Sequence, residues 1–178
     1  MNLEDFSKKR ILVVGDIMLD KHIHGTVSRI SPEAPVPVLK AEKESYNPGG
    51  AANLANNLST LGAKVSMAGA VGSDEAQKIL FQELEKNNID SSCILKTQKP
   101  TIQKVRGLSH QHLFRIDYED HSSITKEDEK NLLSLIKNKI LDFDAIALSD
   151  YAKGTLTENL VKSLIILAKE NNKIITAD

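Results

Sequence analysis

Short apolar segments alternate with amphipathic helices along most of this sequence, and this alternation restricts the fold more than any other feature. The segment 11–14, Ile-Leu-Val-Val, follows a charged stretch and is closed by Gly15-Asp16, which is typical of a buried strand. Strands that alternate with helices favour a parallel sheet covered by helices on both faces, so we predict an α/β fold. The predicted strands are 11–14, 65–71, 93–95, 143–148 and 173–177, and the predicted helices are 51–61, 74–87, 126–140 and 157–171.

Two segments lack a helical period. Residues 21–46 alternate in polarity and contain three prolines, and residues 101–118 hold two alternating runs around 107–112, as in a hairpin. We predict that both leave the main sheet and form a small β lid within one domain.

The composition excludes several classes of protein. The chain has 23 Lys and Arg against 24 Asp and Glu, a net charge of -1 and 4% aromatic residues, which argues against nucleic acid binding. Cys93 is the single cysteine, so no internal disulfide is possible, and its apolar segment predicts a core position. No apolar run is long enough for a secretory signal or a membrane span, so we expect a cytoplasmic protein without membrane contact.

Polar residues follow the predicted strands, where ligands of open α/β sheets bind. Gly49 and Gly50 allow close approach to the backbone, and the helix after them offers free N–H groups. Singly, such residues are more often turns, caps or ordinary first-turn residues. Together, carboxylates and an amide suit a ligand rich in hydroxyl groups. The candidates are Asp16, Asp20, Gly49, Gly50, Asn53, Asp150 and Lys153.

The run 49–55, Gly-Gly-Ala-Ala-Asn-Leu-Ala, with Gly62 and Gly72 after it, resembles the first signature of the ribokinase-type sugar kinases. This resemblance implies a three-layer α/β sandwich with a mostly parallel central sheet and a β lid. It also implies that Asp16 and Asn53 hold sugar hydroxyls while the backbone of Gly49 and Gly50 lies close to the sugar.

Three further segments, 14–20, 28–38 and 148–154, resemble the branch of this family that acts on D-glycero-D-manno-heptose 7-phosphate. That branch transfers the γ-phosphoryl group of ATP to the anomeric C1 hydroxyl, on the route to ADP-heptose for lipopolysaccharide core. The resemblance implies ATP and Mg²⁺ for the complete enzyme, and a homodimer formed through the lids.

A sugar phosphate needs cations for its phosphate. The candidates are Arg29, Lys104, Arg106, Arg115 and Lys153, of which we favour Lys153 because it follows a strand end; the alternative is that all five are solvated surface charges. The pairs His22/His24 and His110/His112 have a spacing that can bind zinc, but no third ligand lies nearby in sequence, so we predict no metal site.

The last residue, Asp178, directly follows the predicted strand 173–177, which has the composition of a buried strand. No further element follows to cover the outer edge of that strand, and natural domains seldom leave such an edge open. We therefore expect the sequence to be a fragment of a longer domain.

The family's second signature, Asp-Thr-x-Gly-Ala-Gly-Asp, which supplies the catalytic base and an anion hole, does not occur in the 178 residues. We therefore predict no catalytic residue in this chain, because the family's base would lie beyond Asp178. Residues 1–178 would be the N-terminal part of one kinase domain whose C-terminal part is missing, able to recognise sugar but inactive alone.

Two alternatives stay open, namely a kinase for another sugar and a non-catalytic sugar-phosphate-binding or dimerisation module. A nicotinamide-binding domain is disfavoured, because Gly15-Asp16 lacks the GxGxxG spacing that brings a pyrophosphate to a helix N-terminus.

Overall fold

A computed structural model describes residues 3–178, with side chains from residue 6 onward. Five strands form a parallel sheet in the order β5-β4-β1-β8-β9. This sheet and its helices are called the base. Its strands are β1 (Arg10–Gly15), β4 (Lys64–Val71), β5 (Ile89–Lys96), β8 (Ala145–Ser149) and β9 (Ile174–Ala177).

Helices cover both faces of the base sheet, which confirms the predicted three-layer α/β sandwich. The helices are α1 (Ala51–Thr60), α2 (Glu75–Lys86), α3 (Lys126–Lys139) and α4 (Glu158–Glu170). Alternation along β1 divides the core, since Val13 packs with α1 and α2 on one face and Leu12 packs with α3 and α4 on the other.

Side-chain caps mark where three of these helices begin. Asp74, Thr125 and Thr157 each accept a hydrogen bond from the backbone N–H three residues later. Gly62 has a φ of 98° just after α1, as a glycine that ends a helix should. Short 3-10 turns at Leu3–Lys8 and Ile140–Asp142 lead into β1 and towards β8.

A second sheet of four strands in the order β3-β2-β6-β7 forms the lid. Strands β2 and β6 run parallel, and the other two pairs run antiparallel. The lid strands are β2 (Ile17–Ile30), β3 (Pro37–Gly50), β6 (Ile102–Leu108) and β7 (His112–Tyr118).

The lid strands reach deeper into the base than the sequence predicted. Strand β2 begins at Ile17, and β3 continues to Gly50, where the sequence indicated a break at Pro48-Gly49-Gly50. The reason is burial, because Ile17, Met18 and Leu19 are almost completely buried where they pair with the end of β3. Strand β5 is also longer than the predicted segment 93–95. Its first half was not predicted, because it contains exposed polar residues and pairs with β4 through a register shift.

The outer edge of the strand before Asp178 is uncovered among the described residues, as the sequence analysis expected. Strand β9 lies at the edge of the base sheet and pairs with β8 on one side, so most of its residues are exposed, and Ile174 is 71% exposed. Asp178 is exposed as well. Its N–H donates to the carbonyl of Leu148 at 3.1 Å, and its main-chain oxygen accepts the N–H of Asp150 at 3.3 Å. Asp178 therefore continues the backbone pairing with β8 for one residue beyond β9.

Cys93 is fully buried in the core, and burial raises the pKa of its thiol. Within residues 3–178, none of the helices is long and apolar enough to cross a membrane.

Candidate sugar-binding site

Asp16 lies between β1 and β2, at the carboxyl end of the base sheet, and its side chain is fully buried. Its Oδ2 accepts hydrogen bonds from the backbone N–H groups of Tyr151 and Lys153, and its Oδ1 accepts one from Thr155, all at 3.0 Å. Its main-chain oxygen accepts the N–H of Ala51 at 2.9 Å. Asp16 therefore fastens both the loop after β8 and the start of α1 to the end of β1.

This arrangement differs from the expectation that Asp16 holds sugar hydroxyls. Both carboxylate oxygens are engaged by backbone N–H groups, and the residue has no exposed surface. The structure gives Asp16 a positioning role, in which a buried charge is compensated by three peptide dipoles.

Asp20 lies on β2, four residues after Asp16, and its carboxylate is partly exposed. Its side chain is 23% exposed, and its Oδ1 accepts a hydrogen bond from Nη1 of Arg106 on the neighbouring strand β6. Gly49 lies beside it, so that a Cβ on Gly49 would stand 2.6 Å from Oδ2 of Asp20. A side chain at position 49 would displace this carboxylate, so the glycine and Asp20 form one unit.

Gly50 turns the chain from the lid into α1. Its φ of 57° lies in the left-handed region, and a Cβ there would collide with the main-chain oxygen of Asp16. No side chain caps α1. Asn53 is exposed on the first turn of this helix. Gly50 thus connects the end of β3, where Gly49 lies beside Asp20, to the first turn of α1, which carries Asn53.

Hydrogen bonds fix the loop after β8, residues 150–156, in place. Asp150 is exposed, and its Oδ1 accepts the backbone N–H of Ala152 at 2.8 Å. Gly154 has a φ of 89° and packs against the carbonyl of Ser122, and its own carbonyl accepts the N–H of Ile124. The loop is therefore fixed both to Asp16 beneath it and to the segment that follows β7.

Glu119 contacts three basic side chains where the segment after β7 meets the loop after β8. Its carboxylate lies 2.9 Å from Nζ of Lys153, 2.8 Å from Nε2 of His121 and 3.5 Å from Nζ of Lys104. The hydrogen bond from Lys153, together with those contacts, lowers the pKa of Glu119 to about 2. The sequence analysis missed Glu119, although it directly follows strand β7, as Asp150 follows β8.

Similarity to known proteins agrees with this geometry. Residues 8–177 match the model of the pfkB family of carbohydrate kinases. The chain belongs to the pfkB family.

Curated relatives in the pfkB family carry the name bifunctional protein HldE. One from Helicobacter pylori strain G27 is 45% identical over 96% of this chain, and one from Hydrogenovibrio crunogenus is 43% identical over 100%. The chain spans 37% and 36% of the lengths of these two relatives.

Solved structures of other proteins share the fold. A carbohydrate kinase from Agrobacterium tumefaciens superposes with a TM-score of 0.72 at 19% identity, over 95% of this chain and 53% of its own. A structure described as a putative phosphofructokinase from Staphylococcus aureus gives 0.75 at 17% identity, over 94% of this chain and 52% of its own.

The site residues predicted from sequence do not all meet. Contacts connect Asp20 with Gly49 and Arg106, and Gly50 and Asn53 follow at the start of α1, whereas Lys153 and Lys104 pair with Glu119. Arg115 lies on β7 next to Arg106 in register. Arg29 is exposed near the outer end of β2, about 30 Å along the strand from Asp20. Within the described part of the chain, no group of three or more His, Cys, Asp or Glu side chains is placed to hold a metal ion.

Proposed function

We propose that this chain is the sugar-binding part of an ATP-dependent kinase acting on D-glycero-D-manno-heptose 7-phosphate. The group transferred is the γ-phosphoryl group of ATP, and the acceptor is the anomeric C1 hydroxyl, on the route to ADP-heptose for lipopolysaccharide core. Identities of 43–45% to the proteins named HldE support this choice within the pfkB family. Residues 1–178 would be the N-terminal part of one kinase domain.

One observation carries the proposal, the placement of Asp20 beside Gly49 at the start of α1. A carboxylate accepts hydrogen bonds from two neighbouring hydroxyls, and the Asn53 amide both donates and accepts. The uncapped start of α1 adds a partial positive charge that favours oxygen atoms. Asp16 and the loop it fastens hold this arrangement in shape.

Calorimetry with the 178-residue chain tests the sugar site. We expect Asp20→Asn to weaken binding of heptose 7-phosphate at least tenfold, because a charge-assisted hydrogen bond contributes about 1.5–3 kcal/mol. Asp142→Asn, an exposed aspartate in the turn before β8, is the matched control and should bind as the unchanged chain does. Equal affinity of Asp20→Asn and the unchanged chain would refute the assignment.

The phosphoryl donor we propose is ATP with Mg²⁺ in the complete enzyme. The described residues offer no cluster of metal ligands, so the Mg²⁺ would arrive with the nucleotide. Because the sequence Asp-Thr-x-Gly-Ala-Gly-Asp is absent from the 178 residues, the catalytic base would lie beyond Asp178, and we expect the purified chain to bind sugar without turnover. Production of ADP by this chain in a coupled assay would contradict that expectation.

Ribose, fructose 6-phosphate and heptose 7-phosphate, titrated side by side, separate the two alternatives. Preference for heptose 7-phosphate supports the proposal, and preference for either other sugar indicates a different kinase of the same family. If the complete gene product binds the sugar phosphate without consuming ATP, the chain belongs to a non-catalytic binding or dimerisation module.

We also propose a homodimer formed through the lids. Phe114, Ile116 and Tyr118 alternate along β7 on one face of the lid, and their exposed fractions are 40%, 45% and 52%. Val36, at the outer turn between β2 and β3, is 51% exposed. Pairing with a second copy would cover these apolar surfaces. Sedimentation over a hundredfold range of concentration should show a dimer, and a monomer throughout would count against it.

A further inference from the structure

Within residues 3–178, the chain crosses between the base and the lid four times. Three of the crossings, at Asp16, at Gly50 and after β7, carry contacts of the candidate site and of the loop after β8. The fourth crossing, residues 97–101, leads from β5 into β6 and lies against Gly72, the last glycine of the ribokinase-type signature. This crossing is fixed by hydrogen bonds of its own.

Asp74 contacts the base with one carboxylate oxygen and the lid with the other. Its Oδ1 accepts the backbone N–H of Gln77 at 2.9 Å and so caps helix α2. Its Oδ2 accepts the backbone N–H of Thr101 at 2.8 Å, at the point where the chain enters β6. Hydrogen bonds to a carboxylate are stronger than those between neutral groups. A single side chain therefore joins a helix of the base to a strand of the lid.

Thr101 makes a second hydrogen bond back to the base. It is 1% exposed, and its Oγ1 accepts the backbone N–H of Gly72 at 3.0 Å. At the other end of the crossing, Thr97 donates its backbone N–H to the carbonyl of Val71 at 2.8 Å. The segment is thus bound at both of its ends to the last residue of β4 and the glycine that follows it.

Gly72 leaves the space that these contacts need. A Cβ at position 72 would stand 2.7 Å from Oδ2 of Asp74 and 2.8 Å from the backbone nitrogen of Thr101. Cβ atoms do not approach other atoms so closely, so a side chain here would separate the carboxylate from its partner. The missing side chain at Gly72 therefore belongs to the same arrangement as Asp74 and Thr101.

The backbone partners of Asp74 keep its carboxylate charged. Burial raises the pKa of Asp74, but the hydrogen bonds from Thr101 and Gln77 outweigh burial, and the pKa lies below its ordinary value. Asp74 is therefore ionised at neutral pH, and both of its oxygens accept hydrogen bonds.

We propose that Asp74 is a positioning residue of the sugar site, which fixes the start of β6 to the base and thereby keeps Arg106 beside Asp20. Strand β6 leads directly from Thr101 to Arg106, and Arg106 pairs with Asp20 on the polar face of the lid. The link to the sugar rests on the proposed function. The link between Asp74 and the position of the lid does not.

The length of β6 makes this positioning effective. Arg106 lies five residues after Thr101, which is about 17 Å along a strand. Over that length, a tilt of about 4° at Thr101 moves Arg106 by about 1 Å, which is enough to weaken its hydrogen bond to Asp20. Asp74 can therefore influence the sugar site without touching the sugar.

Asp74→Asn separates the two contacts of this side chain. Asparagine caps helices as well as aspartate does, so the cap on Gln77 is retained. The amide nitrogen that replaces Oδ2 cannot accept a hydrogen bond from Thr101. In calorimetry on the 178-residue chain, we expect heptose 7-phosphate to bind about three- to tenfold more weakly, because fewer molecules hold the lid in the binding position.

Ser59→Ala is the matched control for the loss of one partly buried hydrogen bond at α2. Oγ of Ser59 donates to the carbonyl of Asn87 at 2.7 Å, at the opposite end of α2 from Asp74. This variant should lower stability and leave the affinity for the sugar unchanged. If Ser59→Ala weakens binding as much as Asp74→Asn does, or if neither variant weakens it, the proposal is wrong.

Residual dipolar couplings measured by NMR on the chain without sugar report the orientation of the lid. We expect Asp74→Asn to rotate the lid strands relative to the helices of the base, while couplings within the base stay the same. Gly72→Ala should rotate them as well, because its Cβ separates the same partners. Since both changes break one contact, the double variant should rotate the lid no further than the more affected single variant.

The two measurements distinguish a failure of this proposal from a failure of the proposed function. If the unchanged chain binds no sugar but Asp74→Asn rotates the lid, the heptose assignment fails and the role of Asp74 in fixing the lid is supported. Identical lid couplings in Asp74→Asn and the unchanged chain would overturn that role. A rotated lid with full affinity for the sugar would refute the link from Asp74 to Arg106 and Asp20.

Discussion

The base and the lid are stabilised by different interactions. The base buries both faces of its sheet beneath helices, and residues such as Leu12, Ile146 and Leu164 have no exposed surface. The lid has four strands and no helical cover on its outer part, and ion pairs connect its strands on the polar face. Burial of apolar surface contributes more to the free energy of folding than ion pairs at a surface do. The base should therefore determine the stability of the chain, and the lid should determine ligand recognition.

Removal of the Asp16 carboxylate should have the largest effect. Asp16→Ala leaves three backbone N–H groups without acceptors, one of them buried and two partly buried, and an unmet buried group costs about 1–3 kcal/mol. We expect the free energy of unfolding to fall by about 3–5 kcal/mol in urea denaturation. Asp150→Asn changes an exposed carboxylate of the same loop and should alter stability by less than about 0.5 kcal/mol. Similar stability of the two variants would show that Asp16 does not fasten the loop.

Matched truncations compare the two regions directly. Leu164→Ala in α4 opens a cavity in the base and should cost about 3 kcal/mol. Ile116→Ala removes a half-exposed side chain from the lid and should cost less than about 1 kcal/mol in the monomer. The same lid variant should shift a dimer towards monomer in sedimentation. Equal costs in denaturation would contradict the division between base and lid.

A methyl group at Gly49 should damage recognition more than folding. Gly49→Ala puts a Cβ where the carboxylate of Asp20 stands, so Asp20 must move away from its position beside Arg106. We expect the affinity for the sugar to fall about tenfold or more, while stability falls by about 1–2 kcal/mol. A variant that loses stability but keeps full affinity would show that Asp20 is not the sugar ligand.

Protonation of Glu119 at low pH should weaken the contact between the lid and the base. We expect this to be the smallest of the four effects on stability. The pKa of Glu119 is about 2 in the folded chain, below its ordinary value of 4.5, so its stabilisation is complete above pH 4.5 and disappears as the pH falls towards 2. We expect Glu119→Gln to lower stability by about 1 kcal/mol at pH 7 and by almost nothing at pH 2. A difference that does not change with pH would assign the effect to packing.

The sequence predicted the base well because its information is local and periodic. The alternation of apolar runs and helices predicted the parallel sheet that the structure has, and the pattern around Gly49 and Asn53 led to the candidate sugar site. The lid was less predictable, because a strand such as β2 changes from buried at Leu19 to exposed at Arg29 without a break in its pattern.

The role of Asp16 could not be inferred from sequence for a different reason. Its partners are backbone N–H groups, which every residue other than proline carries. The side chains at 151–155 therefore give no sign in the sequence that these residues bind Asp16. Glu119 was missed because two of its partners, Lys104 on β6 and Lys153 after β8, come from other segments of the chain. Only the fold brings these segments together.

The hydrogen bonds of Asp16 also bear on when the site forms during folding. They join residues 135, 137 and 139 positions apart, and β1 pairs with β8 over a similar separation. Contacts of such long range close slowly, since the chain between them must first be ordered. On the ribosome, Asp16 emerges long before its partners and stays hydrated until residues 151–155 have been synthesised. The antiparallel strand pairs of the lid, β2 with β3 and β6 with β7, can form early. The carboxylate of Asp16 becomes buried only when β8 joins the base sheet.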